Sequence, residues 1–182
     1  MRVVVAVTAA SGAIYARQCV ELLLANSSVE RIALIYSREA EAVATAEDVK
    51  LPEDSRIEIY SNDDMWASPA SGSARWDSMV IVPSTMGTIG RIASGVSQTL
   101  IERSADVMLK ERRRLVIVAR EAPYSLIHLR NMTTLTEAGA IILPASPSFY
   151  FRPATIEELC LTISQRAVEL AGIEVLHSEW GE

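Results

Sequence analysis

The stretch that decides the fold is residues 101–123, IERSADVMLKERRRLVIVAREAP. Its first half carries the charges of a helix, and its second half contains an aliphatic run from Leu115 to Ala119. Because this run lacks apolar–polar alternation, it predicts a strand buried on both faces of a parallel sheet. Arg120 and Glu121 follow at once, at the end of a strand where open α/β sheets bind ligands. The pair indicates an anion held beside a proton donor or acceptor.

Strands and helices alternate along the rest of the chain. The predicted strands are Arg2–Val7, Arg31–Tyr36, Arg56–Tyr60, Ser78–Pro83, 115–119 and Ala140–Leu143. The predicted helices are Gly12–Ala25, a segment that follows the second strand and ends at about Val49, Thr85–Ala93, Gln98–Arg112, Ser125–Glu137 and Ile156–Leu170. This rhythm predicts an α/β, doubly wound fold, an open parallel sheet with helices on both faces, in a single domain over residues 1–182.

The composition and the net charge of the chain indicate which kinds of partner and environment to expect. The net charge is −6, and no basic run stands clear of acidic neighbours, which argues against nucleic acid as a partner. Apolar residues make up 49% of the chain, so we expect further burial between copies in a homo-oligomer. No apolar segment approaches the roughly 20 residues needed to span a membrane. Cys19 and Cys160 do not form a CxxC motif. We therefore expect both to be core residues of a protein in a reducing cytoplasm.

Small and hydroxyl-bearing residues follow the other predicted strands. They are Thr8, Ser11 and Gly12 after the first strand, Ser37 after the second, Ser84, Thr85, Gly87 and Thr88 after the fourth, and Ser146, Ser148 and Tyr150 after the sixth. Since the carboxyl ends of parallel strands meet at one edge of a sheet, these residues converge with Arg120 and Glu121. Their joint recurrence indicates a polar or phosphorylated ligand.

The residues alone leave the role of two strand-to-helix turns open. Residues 84–88 form either a phosphate cradle of backbone N–H groups and hydroxyls or an ordinary N-cap of the next helix. Residues 8–13 have the small side chains that a close ligand needs, although a tight turn without a ligand needs them too. Neither GxGxxG nor GxxxxGK[ST] occurs, which argues against a dinucleotide or a nucleoside triphosphate.

Two further groups of polar residues also allow more than one interpretation. Arg103, Asp106 and Lys110 share one helical face, where they form either a solvated ion pair or a grip on a phosphate. The long loop Ser61–Arg75 contains the run 70–73, which is either a functional segment or a flexible linker.

The sequence predicts neither a metal site nor the active site of a serine hydrolase. His128 and His177 have no partner at the spacing of metal ligands. The GxSxG motif of serine hydrolases is absent as well.

Several segments, taken together, resemble the UbiX-type flavin prenyltransferases from the first strand to Trp180. They are residues 8–13, 70–73, 79–83, 100–112, 115–123, 127–132 and 148–150. The resemblance implies a flavodoxin-like fold and an enzyme that transfers the dimethylallyl group of dimethylallyl phosphate to reduced FMN. It implies that phosphate is released, that prenylated FMN serves UbiD-type decarboxylases, that no metal is needed, and that the chains form a homo-dodecamer.

The same resemblance implies a role for individual residues. The implied FMN contacts are Ala9, Ala10, Ser11, Ser37, Thr85, Met86, Gly87, Thr88 and Arg120. The implied prenyl-phosphate contacts are Ala70, Ser71, Gly72, Arg103, Lys110, Tyr150 and Arg166, some across a subunit boundary, with Trp180 closing the site. The implied catalytic groups are Glu121 as acid–base, Ser11 and Glu47 near the flavin N5 atom, and Lys110 on the phosphate.

Two residues depart from the family pattern. Ala9 stands where the family usually has glycine, and Thr85 stands where serine is common.

Two other functions are alternatives to the prenyltransferase. A flavin-dependent cysteine decarboxylase would carry a catalytic histidine and an Asn-containing substrate clamp, and neither is evident. An FMN carrier or accessory subunit of a decarboxylase would tolerate the loss of Lys110 or Glu121, and both are present. Whether the donor is the monophosphate or the diphosphate, and which decarboxylase is served, stay open.

Overall fold

A computed structural model describes residues 1–175 of the chain. Its six strands form one parallel sheet in the order β3-β2-β1-β4-β5-β6. The strands are β1 (Arg2–Val7), β2 (Arg31–Tyr36), β3 (Ile57–Tyr60), β4 (Ser78–Ser84), β5 (Arg114–Ala119) and β6 (Ile141–Pro144). The helices are α1 (Ala13–Ala25), α2 (Ala40–Ala46), α3 (Met86–Ala93), α4 (Leu100–Lys110), α5 (Leu126–Glu137) and α6 (Ile156–Leu170). The doubly wound, flavodoxin-like class is confirmed, and the strand order is that of the dinucleotide-binding folds of this class.

Alternate residues of the central strands face two separate apolar cores. Val3, Val5 and Val7 of β1 pack with α1 and α6 on one face of the sheet. Val4 and Ala6 pack with α3, α4 and α5 on the other face. Since both faces are covered, the central strands contain continuous apolar runs.

Two helices differ from their predicted bounds by two residues or more, and side chains or backbone angles explain the main differences. The helix after β2 ends at Ala46 instead of about Val49, because Asp48 has a φ of 53° that cannot continue a right-handed helix. The helix predicted from Gln98 begins at Leu100 instead. There the Glu102 carboxylate accepts the backbone N–H groups of Gln98 and Thr99 and thereby completes a capping box.

The segment from β3 to β4 takes the place of a crossover helix. It contains two short 3₁₀ turns, Ser68–Ala70 and Gly72–Ala74, and runs along α4. Its Asn62 caps α4, because the carbonyl oxygen accepts the N–H of Leu100 at 2.8 Å and Oδ1 accepts that of Ile101 at 3.0 Å. The predicted loop is therefore packed against the helix layer.

The described part of the chain contains no helix that is long and apolar enough to cross a membrane.

Candidate active site

The sheet has its topological switch point between β1 and β4. These two strands are neighbours, and the helices that follow them, α1 and α3, leave toward opposite faces of the sheet. In such folds the crevice at the carboxyl ends of the two strands is where ligands bind. The turns 8–13 and 84–88, whose role the residues alone left open, both lie at this crevice.

Thr8 joins the two turns across the switch point. Its side chain is 2% exposed, and its hydroxyl donates to the carbonyl oxygen of Pro83 at 2.8 Å. The same hydroxyl accepts the backbone N–H of Thr85 at 2.9 Å. The end of β1 therefore fixes where α3 begins. The sequence analysis named Thr8 among the residues that converge on a ligand, but it did not predict that this hydroxyl joins the two turns.

The N-terminus of α3 combines a cap with donors that are left for a ligand. Thr85 is the N-cap, and its Oγ1 atom accepts the N–H of Thr88 at 3.2 Å. The first intrahelical bond runs from the N–H of Ile89 to the carbonyl of Thr85, so the N–H groups of Met86 and Gly87 precede it. The N-cap interpretation of this turn is confirmed, and a phosphate cradle formed by the N–H groups of Met86 and Gly87 stays a prediction.

The N-terminus of α1 is occupied by Glu47, which lies at the end of α2. The N–H of Gly12 donates to its two carboxylate oxygens at 2.9 and 3.0 Å, and the N–H of Ala13 donates at 2.7 Å. Gly12 has a φ of 105°, and a Cβ atom there would meet the Tyr15 ring at 2.8 Å, so this turn requires glycine.

The charge on Glu47 is stabilised by its surroundings. Burial acts to raise the pKa of this carboxyl group. Hydrogen bonds from the Ser11 side chain and from the backbone of Gly12 and Ala13, together with the positive charge of Arg120, outweigh burial and hold the pKa below its ordinary value. Ser11 and Glu47 are therefore in contact, and their implied place near the flavin N5 atom stays a prediction.

Arg120 and Glu121 lie where β5 ends, beside the crevice. The N–H of Arg120 donates to the carbonyl of Ser84 at 3.2 Å, and the guanidinium is exposed. Its charge opposes the effects of burial and of Cys160, which raise the pKa of Tyr15 to about 12. Glu121 is half-buried, and its Oε1 atom accepts the N–H of Ala122 at 3.0 Å.

Ser37, Ala9 and Ala10 complete the residues of the crevice. The N–H of Ser37 donates to the carbonyl of Val7 at 2.9 Å, which places Ser37 directly beside the end of β1. The backbone of the Ala9–Ala10 turn is held by an N–H of Ala10 that donates to the carbonyl of Thr8 at 2.8 Å. The structure therefore brings the predicted flavin residues together along the ends of β1, β2, β4 and β5. We call these residues, with Glu47 and Glu121, the crevice group.

Five of the predicted prenyl-phosphate residues form a second group along α4, which we call the α4 group. Its members are Ala70, Ser71, Gly72, Arg103 and Lys110. Arg103 donates from Nε to the carbonyl of Ala70 at 3.1 Å and pairs with Asp106 at 2.6 Å. A Cβ atom on Gly72 would lie 3.0 Å from the Nζ atom of Lys110, and this amine is ion-paired with Glu111.

The α4 group extends to the edge of the sheet opposite to the crevice. Lys110 ends α4 four residues before β5 begins, which puts it at the amino end of the strands. The carbonyl of Gly72 accepts from Arg113 at 2.8 Å and that of Ala74 from Arg2 at 3.2 Å, and both arginines lie at strand starts. Within one chain, Lys110 therefore lies at the opposite edge of the sheet from the crevice group.

Tyr150 and Arg166 form a third group, the α6 group, on the opposite face of the sheet from α4. The loop before Tyr150 lies against the middle of α6, because the N–H of Ser148 donates to Thr162 Oγ1 at 3.3 Å. Thr162 precedes Arg166 by one helical turn on the same side of α6. Arg166 is exposed and pairs with Glu169 at 3.3 Å. Trp180, the predicted aromatic lid, lies outside the described residues.

Large apolar side chains are exposed after β5 and β6, at the carboxyl edge of the sheet. They are Tyr124, Leu126, Ile127, Leu129, Phe149, Tyr150, Phe151 and Ile156. Exposed apolar side chains in this number are typical of a surface that contacts another molecule. We call these residues the apolar surface.

The described residues contain no cluster of histidine, cysteine, aspartate or glutamate side chains that could hold a metal ion. Both cysteines, Cys19 and Cys160, are buried and unbonded to each other. His128 takes part in a capping box, in which its Nδ1 atom accepts the N–H of Ser125 at 3.2 Å.

The similarity to known proteins covers nearly the whole chain. The sequence model of the family described as Flavoprotein matches residues 1–169. Flavin prenyltransferase UbiX of Methanocaldococcus jannaschii is 38% identical over 185 residues, an alignment that covers 100% of this chain and 99% of the relative. The chain belongs to the UbiX-type flavoproteins. Its membership agrees with the segments that carried the resemblance in the sequence.

Solved structures of UbiX-type flavoproteins have the same fold. The crystal structure of AnUbiX (PadA1) in complex with FMN and dimethylallyl pyrophosphate has a TM-score of 0.89 at 41% identity and covers 98% of each chain. A dodecameric FMN-dependent UbiX-like decarboxylase from Escherichia coli O157:H7 has a TM-score of 0.91 at 31% identity and covers 100% of each chain. The fold and the strand order described above are therefore those of the family.

Proposed function

We propose that this UbiX-type protein is a flavin prenyltransferase, which transfers the dimethylallyl group of dimethylallyl phosphate to reduced FMN and so yields prenylated FMN. The observation that carries the proposal is the crevice at the switch point. It combines helix donors for a phosphate, a turn of small residues and the Arg120–Glu121 pair at one edge of the sheet. The relatives named flavin prenyltransferase, and the neighbour crystallised with FMN and dimethylallyl pyrophosphate, support it.

The crevice residues fit FMN. The N–H groups of Met86 and Gly87 and the hydroxyls of Ser37 and Thr88 would bind its phosphate. Ala9 and Ala10 leave the backbone accessible to a flat ring, and the Arg120 guanidinium would face it. Reduced FMN supplies the electron-rich ring atoms to which the prenyl group is joined.

The residues of the chain would promote departure of the phosphate. The carbon–oxygen bond of the donor breaks, and its electron pair leaves with the phosphate, whose growing charge Lys110, Arg103 and Arg166 would stabilise. Glu121 would supply a proton to the departing phosphate. Ser11, held by Glu47, would move a proton beside the flavin ring.

We further propose that the site is completed by neighbouring copies of the chain. Lys110 lies at the amino edge of the sheet, away from the crevice of its own chain, so a neighbouring copy would supply it. The apolar surface at the carboxyl edge and the dodecameric neighbour support an oligomer, for which we propose a homo-dodecamer.

We also propose a recipient for the product, a cellular location and a domain organisation. The product would pass to a UbiD-type decarboxylase, and the protein would work in the cytoplasm, which its two unbonded cysteines support. All strands of the described residues belong to one sheet, which supports a single domain over residues 1–182.

Mass spectrometry of the bound flavin tests the transfer. The protein is loaded with FMN, reduced without oxygen and incubated with dimethylallyl phosphate or, in a parallel sample, with dimethylallyl diphosphate. We expect the flavin mass to increase by one prenyl group with the monophosphate, and a sample without donor is the control. An unchanged mass with both donors would favour the FMN carrier instead.

The cysteine decarboxylase alternative receives no support from the described residues. His128 is engaged in capping α5, and His177, the other histidine of the chain, lies outside them. A catalytic histidine is therefore not found in the crevice described above.

A further inference from the structure

The side chain of Arg91 reaches back along α3 to the turn that begins this helix. Its Nη2 atom donates to Thr88 Oγ1 at 3.3 Å. A Cβ atom on Gly87 would lie 3.3 Å from Arg91 Nη1 and 3.9 Å from Thr85 Oγ1. Helical side chains point toward the N-terminus of their helix, and Arg91 follows Gly87 by one turn. The missing side chain of Gly87 therefore leaves the room in which the guanidinium lies against the turn 84–88.

A buried carboxylate holds this guanidinium in place. Glu102 is 1% exposed, and its Oε1 atom is ion-paired with Arg91 Nε across the contact between α3 and α4. Its Oε2 atom accepts the N–H groups of Gln98 and Thr99 at 2.9 and 3.1 Å. Because each oxygen of Glu102 has its own donors, the carboxylate is fixed, and it fixes the orientation of the planar guanidinium in turn.

The guanidinium keeps donors that no described residue uses. An arginine side chain has five N–H groups in a planar fork. In Arg91 the Nε atom donates to Glu102 and Nη2 donates to Thr88, whereas none of residues 1–175 accepts from Nη1. The side chain is 49% exposed, so the helix layer does not seal it from a ligand. The donors of Nη1 are therefore left beside Gly87.

We propose that Arg91 is a further binding residue for the phosphate of the flavin, and that Glu102 positions it. This inference rests on the proposed binding of FMN at the turn 84–88. The N–H groups of Met86 and Gly87 would bind the phosphate from the helix end, and Nη1 would bind it from the side. The charge of Glu102 is shared with two backbone N–H groups at the start of α4, so it offsets the charge of Arg91 only in part.

A comparison of FMN with riboflavin, which has the same ring and no phosphate, tests the inference. Each flavin is titrated into the flavin-free, full-length protein, and quenching of flavin fluorescence gives the two dissociation constants. In Arg91→Ala we expect the dissociation constant of FMN to rise about tenfold, the size of a hydrogen bond to a charged group, and that of riboflavin to stay unchanged. Arg91→Lys keeps the charge without the planar fork and should recover part of the FMN affinity.

The matched control is Arg130→Ala, which removes the same charge from an exposed position of α5 and should leave both constants unchanged. If Arg91 only ties α3 to α4, its loss loosens the crevice and both constants rise together, which would overturn the inference. An unchanged FMN constant in Arg91→Ala, or a natural protein that does not bind FMN, would overturn it as well. No prenyl donor is present, so a protein that shows the expected difference and fails to transfer the prenyl group would contradict the proposed activity alone.

Discussion

Thr8 and Thr85 are joined by a hydrogen bond of 2.9 Å, from the backbone N–H of Thr85 to the hydroxyl of Thr8. The bond crosses from the end of β1 to the start of α3, the two elements on either side of the switch point. Because the hydroxyl also donates to Pro83, one buried side chain fixes the position of the phosphate-binding turn.

The substitution Thr8→Val keeps the shape of this side chain and removes both hydrogen bonds. We expect a loss of about 1–3 kcal/mol in the free energy of unfolding, because the N–H of Thr85 is left without its acceptor. FMN affinity should fall as well, since α3 loses its anchor. Thermal unfolding and flavin titration measure both effects. Thr133→Val is the control, because its exposed hydroxyl bonds only within α5 and its loss should change little.

Glu121→Gln tests the proposed proton donor at the end of β5. The amide has nearly the same shape, so the variant should bind FMN with unchanged affinity. It should lose most of the prenylated product, because the departing phosphate receives no proton. The mass of the bound flavin after incubation with dimethylallyl phosphate checks this, and undiminished prenylation would show that Glu121 has no such role.

Mixed oligomers test the completion of the site between copies. Lys110→Ala and Glu121→Gln should each be inactive alone, but co-expression should restore part of the activity. In some sites, an intact Lys110 from one copy then meets an intact Glu121 of another. Lys110→Ala co-expressed with Arg103→Ala is the control. Both residues belong to the α4 group of a single copy, so no mixed site is complete and activity should stay low.

Acid should weaken the contact between Glu47 and α1. The pKa of Glu47 is lower in the folded chain than in the unfolded one, so the contact stabilises fully above the unfolded value of about 4.3. The stabilisation is lost as the pH falls from there through the folded value. We therefore expect the natural protein to exceed Glu47→Gln in unfolding free energy at neutral pH, and the difference to shrink below about pH 4.3.

Urea unfolding at a fixed protein concentration, repeated over a range of pH, measures this difference. A difference that stays constant down to the lowest pH would mean that the Glu47 charge contributes no stability.

The strands were predictable because a strand that is buried on both faces requires a continuous run of apolar residues. Arg2–Val7 and Arg31–Tyr36 agree with the structure residue for residue, since strands covered on both faces consist of uninterrupted apolar runs. The end of α2 was predicted too late, because the backbone angle of Asp48 has no clear signature. The start of α4 could have been found, since Thr99 and Glu102 have the spacing of a capping box.

The site was predictable in its parts and only partly in its arrangement. The resemblance named Arg120, Glu121 and Lys110, and the first two lie at the expected edge of the sheet. The position of Lys110 at the other edge could also have been inferred, because this residue lies in the last turn of a helix that leads directly into β5. The Thr8–Thr85 bond could not, because it requires knowing that β1 and β4 are neighbours.

The position of Lys110, at the edge of the sheet opposite to the crevice group, has a consequence for how the protein becomes active. Under the proposed assembly, a newly made chain is latent, since it carries the flavin half of one reaction centre and the phosphate half of another. Its turnover per chain would then decline on dilution, as subunits part, even though each chain stays folded. Synthesis of the cofactor would thus begin only once enough copies have accumulated to associate.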